Sequence, residues 1–450
     1  MKKICFTVIL FIAAVFGTVC ARADLLPHDG YLVKLKPSVS LMSQAETDDD
    51  IIKIDSLNDI AKFIDKSQIE YIEPNYYVDL FSITDDPDYF TNQWNMQMVN
   101  APNVWETGCV GQNVKIAVID SGVDAVEDLK ANLLPGYSLV DNDTADTSDI
   151  SGHGTFVSGI IAAEANNKLL VAGLAYRAKI VPIKCFKYNT QNEVKATIED
   201  VSKAIKMAVD DFECKVINLS LGIKTDSNTL KDAVEYALGK NAIVVAACGN
   251  ETDGTVNYPS AYDGVISVGS VDSDKKWRTN RNQYIDIGAP GHGVYGLNRA
   301  GSVAMGSGSS YAAPVVSALA AVCLNFREDI KASEFETLIK ETGEEHTESG
   351  GFSYKIVNAQ AMIRKILEGQ EIFVSPYDNC DESSGVRVYN NTASPMTVFE
   401  FTDGESGKSV KKLVLPLECG EYINTSVGEN EKITTYIWGT NLRPLFKREK

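Results

Sequence analysis

The chain has 450 residues, of which 44% are hydrophobic and 23% are charged, and this length predicts a large buried core and more than one domain. The net charge of −19 argues against nucleic acid as a partner, because phosphate binding requires clustered lysine and arginine. The excess of acidic residues favours solubility and leaves carboxylates available for calcium.

The first 23 residues have the pattern of a secretory signal peptide. Lys2 and Lys3 precede an apolar run over residues 4–19, and residues 21–23 (Ala-Arg-Ala) are suited to cleavage. The alternative is a membrane anchor, but the run is short for a spanning helix, and no later stretch is long and apolar enough to span a bilayer. We expect a secreted protein, either free or associated with the cell surface, with no transmembrane anchor after signal removal.

Cysteine usage does not indicate a disulfide framework. Two of the nine cysteines lie in the signal, which leaves an odd number scattered through a large protein. Three of these lie in apolar runs and are predicted to be buried: Cys185, Cys248 and Cys323. The sequence leaves open whether Cys380 and Cys419, in the last segment, form a pair.

Residues 24–84 are predicted to form a small α+β domain. Residues 30–36 alternate like a strand, residues 57–64 have helical spacing, and residues 69–78 indicate a second strand. A segment of this size has only marginal stability alone.

Residues 85–370 show strands alternating with helices, which predicts an α/β domain with a mainly parallel sheet and helices on both faces. The predicted strands are short apolar runs, as expected when both faces of a sheet are covered: Lys115–Asp120, Lys179–Lys184, Val216–Leu219, 242–247 and 265–268. One apolar stripe predicts a helix through Val194, Ile198, Val201, Ile205 and Val209. Further helices are predicted over 230–238, with Gly239 as its C-cap, and after a capping box of Ser333 with Glu336.

Residues 371–450 lose the helical periodicity and are predicted to form a small β-rich domain. The predicted strands are 386–389, 396–401, 411–415 and Lys432–Trp438. The sequence does not indicate what this domain does.

Three short motifs carry residues that can act together in nucleophilic catalysis. Asp120 ends a predicted strand, while His153 (in Gly-His-Gly-Thr) and Ser310 (in Gly-Ser-Ser-Tyr-Ala-Ala-Pro) each begin a predicted helix. Sites in open α/β sheets form at the carboxyl ends of strands, so the three segments can converge at one edge. We expect Ser310 to attack a carbonyl, His153 to accept its proton, and Asp120 to orient the imidazole.

Together, and in the order Asp, His, Ser, these motifs resemble those of the subtilisin family of secreted serine proteases over roughly residues 85–369. The resemblance implies an endopeptidase that cleaves proteins and peptides through an acyl-enzyme intermediate. It also implies Asn250, in Cys-Gly-Asn-Glu, as a side-chain donor of the oxyanion hole, although an asparagine after glycine is otherwise a simple turn. Tyr311 follows the nucleophile, where relatives often carry methionine or phenylalanine.

The resemblance also identifies candidate substrate-binding residues. Residues 218–222 resemble the segment whose backbone pairs with substrate as an added strand, which implies contacts at Ser220, Leu221 and Gly222. Glu251 and Asn257 occupy positions that help to set preference in relatives. Their polarity argues against a strictly hydrophobic preference.

Residues 30–78 resemble the inhibitor-like propeptides of the family, which implies a zymogen that is cut by its own active site between Tyr77 and Asp86. A propeptide that binds the folded sheet would assist a slowly folding parallel topology and would act as an intramolecular inhibitor. The alternative is an ordinary N-terminal domain.

A structural calcium ion is implied by resemblance as well. The matching ligand positions are the side chains of Asp86, Asp128 and Asn167 and the backbone carbonyls of Leu169 and Val171. The alternative is a set of solvated surface carboxylates, which any acidic chain offers.

Two other functions fit the sequence less well than a protease does. A catalytically silent binding or adhesion module would have no reason to keep Asp120, His153, Ser310 and Asn250 together. An esterase of the α/β-hydrolase type would place its serine in Gly-x-Ser-x-Gly ahead of the acid and the histidine, which is the reverse of this chain. Fluorophosphonate labelling separates an active enzyme from a silent module, and peptide against ester turnover separates a protease from an esterase.

Overall fold

The computed structural model describes residues 28–35, 51–54, 69–76, 84–140 and 146–368, together with seven strands between residues 372 and 449. The chain divides into two compact units, Met1–Ser82 and Ile83–Lys450. The predicted signal peptide, the predicted helix over 57–64 and Cys380 lie outside the described residues. The domain boundaries at 23/24, 84/85 and 370/371 therefore remain predictions.

The first unit contains a three-stranded antiparallel sheet with the order β2-β1-β3. Its strands are β1 (His28–Leu35), β2 (Ile51–Ile54) and β3 (Ile69–Tyr76). Val33 on the central strand is fully buried, as the alternation of residues 30–36 requires. Strand β2 is not predicted from the sequence, because four residues are too few to show an alternation of apolar and polar side chains.

The second unit is built on a nine-stranded sheet in which only the edge strand β15 runs antiparallel to its neighbour. The strands of this region are β4 (Lys115–Asp120), β5 (Tyr137–Ser138), β6 (Lys179–Lys184), β7 (Lys187–Tyr188), β8 (Val194–Lys195), β9 (Val216–Leu219), β10 (Ile243–Ala247), β11 (Ile266–Val271), β12 (Ile287–Pro290), β13 (His292–Leu297), β14 (Val303–Ser307), β15 (Glu344–Thr347) and β16 (Ser353–Ile356). Their order in the large sheet is β15-β16-β12-β11-β10-β9-β4-β6-β5, and β7-β8 and β13-β14 form separate two-stranded ribbons.

Helices cover both faces of the sheet, which confirms the predicted α/β fold. The described helices are α1 (Pro87–Thr91), α2 (Trp94–Met98), α3 (Ala101–Glu106), α4 (His153–Ala162), α5 (Ile198–Asp210), α6 (Asn228–Gly239), α7 (Ser309–Phe326), α8 (Ala332–Thr342) and α9 (Ala359–Ile366). Successive residues of β4 point to opposite faces, so Ile116 joins a core with α4 and α7, while Ala117 joins a second core with α5 and α6.

Helix α7 lies in the centre of the larger core. Within the described residues it is the one helix long and apolar enough to cross a membrane, and 78% of its most apolar stretch is buried inside the protein. Its apolar character is therefore accounted for by contacts with β9, β10 and β11 and with α4.

Three details of the predicted helices are wrong. Val194 lies in β8, and α5 begins only at Ile198 because the hydroxyl of Thr197 caps it by accepting from the N–H of Asp200 at 3.1 Å. Gly239 is the last residue of α6 and has no left-handed conformation, so it does not act as the predicted cap.

The third error concerns the start of α8. Ser333 lies inside the helix, and the carboxylate that reaches back to the helix start is Glu334, which accepts from the N–H of Lys331 at 3.0 Å. The predicted pair of Ser333 with Glu336 is displaced by two residues from this contact.

The last part of the chain forms two antiparallel sheets, with the orders β17-β18-β21 and β20-β19-β22-β23. These strands are β17 (Ile372–Asp378), β18 (Ser384–Asn390), β19 (Met396–Asp403), β20 (Ser409–Val414), β21 (Cys419–Tyr422), β22 (Lys432–Trp438) and β23 (Pro444–Glu449). The four strands predicted from the sequence correspond to β18, β19, β20 and β22.

Two glycines provide a matched test of packing around the sheet. A methyl group on Gly269 in β11 would lie 2.1 Å from the Trp277 ring, whose indole N–H donates to the carbonyls of Thr279 and Asn280 and keeps the ring in place. Gly269→Ala is expected to destabilise the fold by about 1–3 kcal/mol. Gly239→Ala meets nothing within 4 Å and is expected to stabilise it by about 0.5–1 kcal/mol.

Urea unfolding of both variants, compared with the unchanged protein, measures the two changes. Equal stability of the two variants would contradict the packing of Trp277 against β11.

Candidate active site

The side chains of Asp120 and His153 meet at the carboxyl end of β4. Asp120 is the last residue of β4, and His153 is the first residue of α4. Nδ1 of His153 lies 2.9 Å from both carboxylate oxygens of Asp120, so Nδ1 carries the donated proton and Nε2 is left as an acceptor. Burial lowers the pKa of His153, but the charge and hydrogen bonding of Asp120, with the charge of Asp149, outweigh burial and raise it.

Ser310 lies in the first turn of α7 and is held by the end of β9. Its hydroxyl donates to the carbonyl of Ser220 at 3.1 Å, and the Ser220 hydroxyl donates to the carbonyl of Ser310 at 2.7 Å. Within the described residues Nε2 of His153 accepts no hydrogen bond, and in free enzymes such contacts often tighten only when substrate binds. The ring centroids of His153 and Tyr311 are 5.5 Å apart, so the two chain segments are in contact.

Asn250 follows β10, and Ser309 fixes the orientation of its amide. The backbone N–H and the hydroxyl of Ser309 both donate to Oδ1 of Asn250, at 2.7 and 3.0 Å, which leaves Nδ2 to donate elsewhere. This approach requires Gly308, because φ there is 146° and a Cβ would lie 3.0 Å from Oδ1 of Asn250. The N–H of Ser310, in the first helical turn, has no intrahelical acceptor, so two donors are available beside the Ser310 hydroxyl.

Two adjoining clefts lie beside these residues. The larger cleft, of about 490 Å³, has Asp120 and His153 in its wall, and its apolar part includes Phe186, Ile198, Val201 and Leu230. The smaller cleft, of about 350 Å³, has Ser310, Asn250, Glu251 and Asn257 in its wall. Leu221 and Gly222 line both clefts, which places the predicted substrate segment between them. The third member of that segment, Ser220, lines the larger cleft and uses its polar groups to hold Ser310.

Glu251 in the smaller cleft is paired with a lysine that the sequence does not single out. One carboxylate oxygen of Glu251 lies 3.0 Å from Nζ of Lys224, and the other accepts from the amide of Asn257 at 3.1 Å. Burial raises the pKa of Glu251, but hydrogen bonds from Lys224, its own backbone, Asn280 and Asn257 outweigh burial and lower it to about 2. The cleft therefore contains an ionised carboxylate whose charge is offset by one partly exposed lysine.

The five residues implied for calcium lie together, away from the clefts. Asp86 and Asp128 are each 1% exposed. Asp86 accepts from the hydroxyl of Thr84 and from the N–H groups of Asn166 and Asn167, and Asp128 accepts from the amide of Asn167 at 2.8 Å. The N–H of Val171 donates to the second oxygen of Asp128 at 3.1 Å, and Leu169 donates to the Asn167 side chain at 2.8 Å.

The charges of this cluster are not balanced by a basic side chain in the described part of the chain. Burial, opposed by hydrogen bonds from Asn167 and Val171 and reinforced by the charges of Asp86 and Glu164, raises the pKa of Asp128 to about 6. Burial also raises the pKa of Asp86. Among the described residues no three His, Cys, Asp or Glu side chains are arranged to hold a metal ion, so any cation here would depend on amide and carbonyl oxygens as well. The two buried carboxylates, with the amide oxygen of Asn167 and the backbone carbonyls of the 166–171 loop, supply the ligand types that a hard cation such as Ca²⁺ prefers.

The sequence does not reveal several residues that hold the site in place. Ser121 and Asp149 connect the Asp120 carboxylate to the first turn of α4, and Lys224 pairs with Glu251. Asp149 has a detectable signal, because an acidic residue shortly before a helix start often caps it. Lys224 has none, since it is 27 residues from Glu251 in the chain and becomes its partner only through the fold.

All five cysteines whose side chains are described are buried. They include Cys185, Cys248 and Cys323, whose burial is thereby confirmed. Burial raises the pKa of Cys323 to about 12, so its thiol stays protonated.

Comparison with known proteins gives a consistent result. The model of the subtilase family (peptidase S8) matches residues 111–359. A thermophilic serine proteinase of Bacillus sp. (strain AK1) is 35% identical over 276 residues, which cover 60% of this chain and 67% of that protein. Thermitase of Thermoactinomyces vulgaris is 33% identical over 270 residues, or 59% of this chain and 94% of thermitase. The solved structure of a protease from Pseudoalteromonas arctica PAMC 21717 superposes with a TM-score of 0.57 and 28% identity, covering 63% of this chain and all of that one.

Proposed function

The chain belongs to the subtilase family of serine proteases, and on that premise we propose that Asp120, His153 and Ser310 form its catalytic triad. The Ser310 oxygen attacks the scissile carbonyl while Nε2 of His153 takes the hydroxyl proton. His153 then returns this proton to the leaving amine, and an acyl-enzyme remains on Ser310. Water, deprotonated by the same imidazole, hydrolyses the ester and frees the carboxylic acid product.

The observation that carries this proposal is the contact of Nδ1 of His153 with both oxygens of Asp120 at 2.9 Å. It selects the tautomer in which Nε2 is unprotonated, and it stabilises the imidazolium that forms during attack. We assign the oxyanion hole to Nδ2 of Asn250 and the N–H of Ser310, since these two donors lack other acceptors in the described structure.

We propose that substrate binds as an extended strand beside Ser220, Leu221 and Gly222. Support comes from the position of Leu221 and Gly222, which line both clefts. Backbone pairing of this kind gives affinity for many sequences, while the clefts select among side chains. The side chain that precedes the scissile bond would enter the smaller cleft, next to Glu251 and Asn257.

We further propose that the protein is made as a secreted zymogen. The support is sequence-based: residues 1–23 have the pattern of a signal peptide, and residues 24–84 resemble a family propeptide. In this proposal the propeptide is an intramolecular inhibitor that is removed by Ser310-dependent cleavage between Tyr77 and Asp86.

Calcium is proposed as a structural ion. The side chains of Asp86, Asp128 and Asn167 and the carbonyls of Leu169 and Val171 would hold it, and its charge would offset two carboxylates that are otherwise buried without a counter-ion in the described structure. Bound calcium would add stability by mass action and has no part in the reaction.

The proposed nucleophile and the zymogen are tested by expressing the wild type beside Ser310→Ala. The wild type is expected to react with a fluorophosphonate, to hydrolyse peptide bonds, and to appear as a chain that starts between residues 78 and 86. Ser310→Ala is expected to lose all three properties, because each needs the Ser310 hydroxyl. Mass spectrometry of both products reads the processing site.

Equal processing of wild type and Ser310→Ala would show that maturation is not autocatalytic. Labelling of the variant would show that Ser310 is not the nucleophile.

Lys224 is expected to control charge preference in the smaller cleft. Lys224→Ala removes the counter-ion of Glu251, so kcat/KM for a substrate with lysine or arginine before the scissile bond should rise about fivefold relative to leucine, which corresponds to about 1 kcal/mol. Lys195→Ala is the matched control, because Lys195 lines the larger cleft and does not contact Glu251. The same shift in both variants would mean that overall charge, not the Lys224–Glu251 pair, sets the preference.

Chelation tests the calcium proposal. EGTA is expected to lower the Tm of the Ser310→Ala protein by about 5–10 °C, because a site filled a hundredfold above its Kd contributes about 2.7 kcal/mol. Asp128→Asn should lower the Tm in the absence of EGTA and abolish the response. Asp85→Asn, an exposed acid in the same region, should keep the response. A Tm that EGTA leaves unchanged would contradict the site.

A further inference from the structure

A second buried carboxylate, Asp149, lies behind the Asp120–His153 pair. Asp149 is fully buried and accepts five hydrogen bonds. The donors are the hydroxyl of Ser121 (2.7 Å), the N–H groups of Ser151 (3.0 Å), Gly152 (2.8 Å) and Thr155 (2.8 Å), and the hydroxyl of Thr155 (2.7 Å). In the described part of the chain Asp149 forms no salt bridge, so hydrogen bonds alone compensate its burial. A buried carboxylate without a counter-ion destabilises the folded state unless its oxygens are fully hydrogen-bonded.

Four of these contacts hold the first turn of α4 and the loop before it, and the one from the N–H of Thr155 does the work of a helix cap. Helix α4 starts at His153, and its N-cap residue is Gly152, which has no side chain to satisfy the free N–H groups of the first turn. Gly152 has a φ of 88°, a conformation that side chains disfavour, so a capping serine or aspartate is unsuited to that position. Asp149 supplies the missing acceptor from the preceding loop and places a negative charge at the positive end of α4.

The other contact joins Asp149 to the carboxylate of the triad. The Ser121 hydroxyl lies 2.7 Å from Asp149 and 3.1 Å from Asp120. A hydroxyl has one proton, and the shorter distance assigns it to Asp149. The Ser121 oxygen also accepts from the Ser151 hydroxyl at 2.8 Å and from the N–H of Gly154 at 3.2 Å. The Ser121 hydroxyl therefore makes three hydrogen bonds, and the backbone N–H of Ser121 supplies the link to Asp120 by donating to it at 2.7 Å.

We propose that Asp149 is a positioning residue for the catalytic reaction. It holds the first turn of α4, and so the ring of His153, in register with the Asp120 carboxylate through Ser121. This role rests on the proposed function, because it gives Asp149 a purpose only if Asp120 and His153 act together. Misplacing reacting groups by about 1 Å can cost about a hundredfold in rate, so a network that fixes both partners has a measurable effect on turnover.

The negative charge of Asp149 provides a second, measurable effect of its positioning role. The charge of Asp149 adds to that of Asp120 in raising the pKa of His153. The other titratable or charged groups around Asp149 and His153 are Asp124 after β4, Tyr188 on β7, Arg299 between β13 and β14, and Tyr311 on α7. Removing the charge of Asp149 should lower the pKa of His153. Because the imidazole is active when neutral, the loss of activity on acidification then moves to lower pH.

The test compares Asp149→Asn with the wild type and with Asp146→Asn. Asp149→Asn keeps the size of the side chain, removes its charge and turns one acceptor into a donor. We expect kcat to fall about tenfold or more, KM to stay within about twofold, and the acid limb of the kcat/KM profile to move to lower pH. Asp146→Asn makes the same charge change in the same loop, but its side chain is 52% exposed and does not contact the network. It should match the wild type in all three measurements.

Ser121→Ala keeps the test decisive if Asp149→Asn does not fold. It deletes the hydroxyl between the two carboxylates with a small change in volume, and we expect a lower kcat at an unchanged KM. A folded Asp149→Asn enzyme with the kcat and the acid limb of the wild type overturns the inference. If Asp149→Asn does not fold, a fully active Ser121→Ala enzyme overturns it instead. If the wild type and Asp146→Asn themselves hydrolyse no peptide, it is the proposed function that fails.

Discussion

The carboxylate of Asp120 has a fixed place because β4 lies inside a sheet that is covered on both faces. Strand β4 pairs in parallel with β6 and β9, and side chains from both of its faces are in core clusters, so neither its register nor its tilt can change without disturbing two cores. The strand ends at Asp120, where the chain leaves the sheet and polar groups become available. All other parts of the site are arranged around this end, including α4, the loop before it and the start of α7.

Burial of acidic side chains is a recurring feature of this negatively charged protein. Asp86, Asp120, Asp128 and Asp149 are all at most 3% exposed. Asp120 and Asp149 are surrounded by N–H and O–H donors from their own and neighbouring loops, whereas the pKa of Asp128 is raised to about 6 because its donors do not offset burial. Asp120 and Asp149 thus receive their hydrogen bonds from the chain itself, whereas Asp86 and Asp128 are the carboxylates proposed to bind a cation. Charge balance is therefore local, and the overall charge gives no information about it.

The sequence predicts the parts of the fold that depend on local patterns. Strands such as Lys179–Lys184 and Val216–Leu219 are continuous apolar runs in a sheet covered on both faces, so composition alone reveals their bounds. The predicted helix starts too early, at Val194, because the apolar periodicity continues through the residues before Thr197. The structure places Val194 in β8 and caps the start of α5 at Thr197. Asp120, His153 and Ser310 are identifiable because each lies in a short motif. The contact of Ser220 with Ser310, the link from Asp149 to Ser121 and the pair of Lys224 with Glu251 are not, because only tertiary structure brings these partners together.

The proposed nucleophile belongs to α7, the longest helix of the described chain. Ser310 is attached directly to α7, whose residues contact both the sheet and α4. Because Ser310 is part of this packed helix and not of a separate loop, the proposed nucleophile reaches its position only when the helix packs against the sheet. We therefore expect a copy of the chain that has not finished folding to be unable to cleave its neighbours.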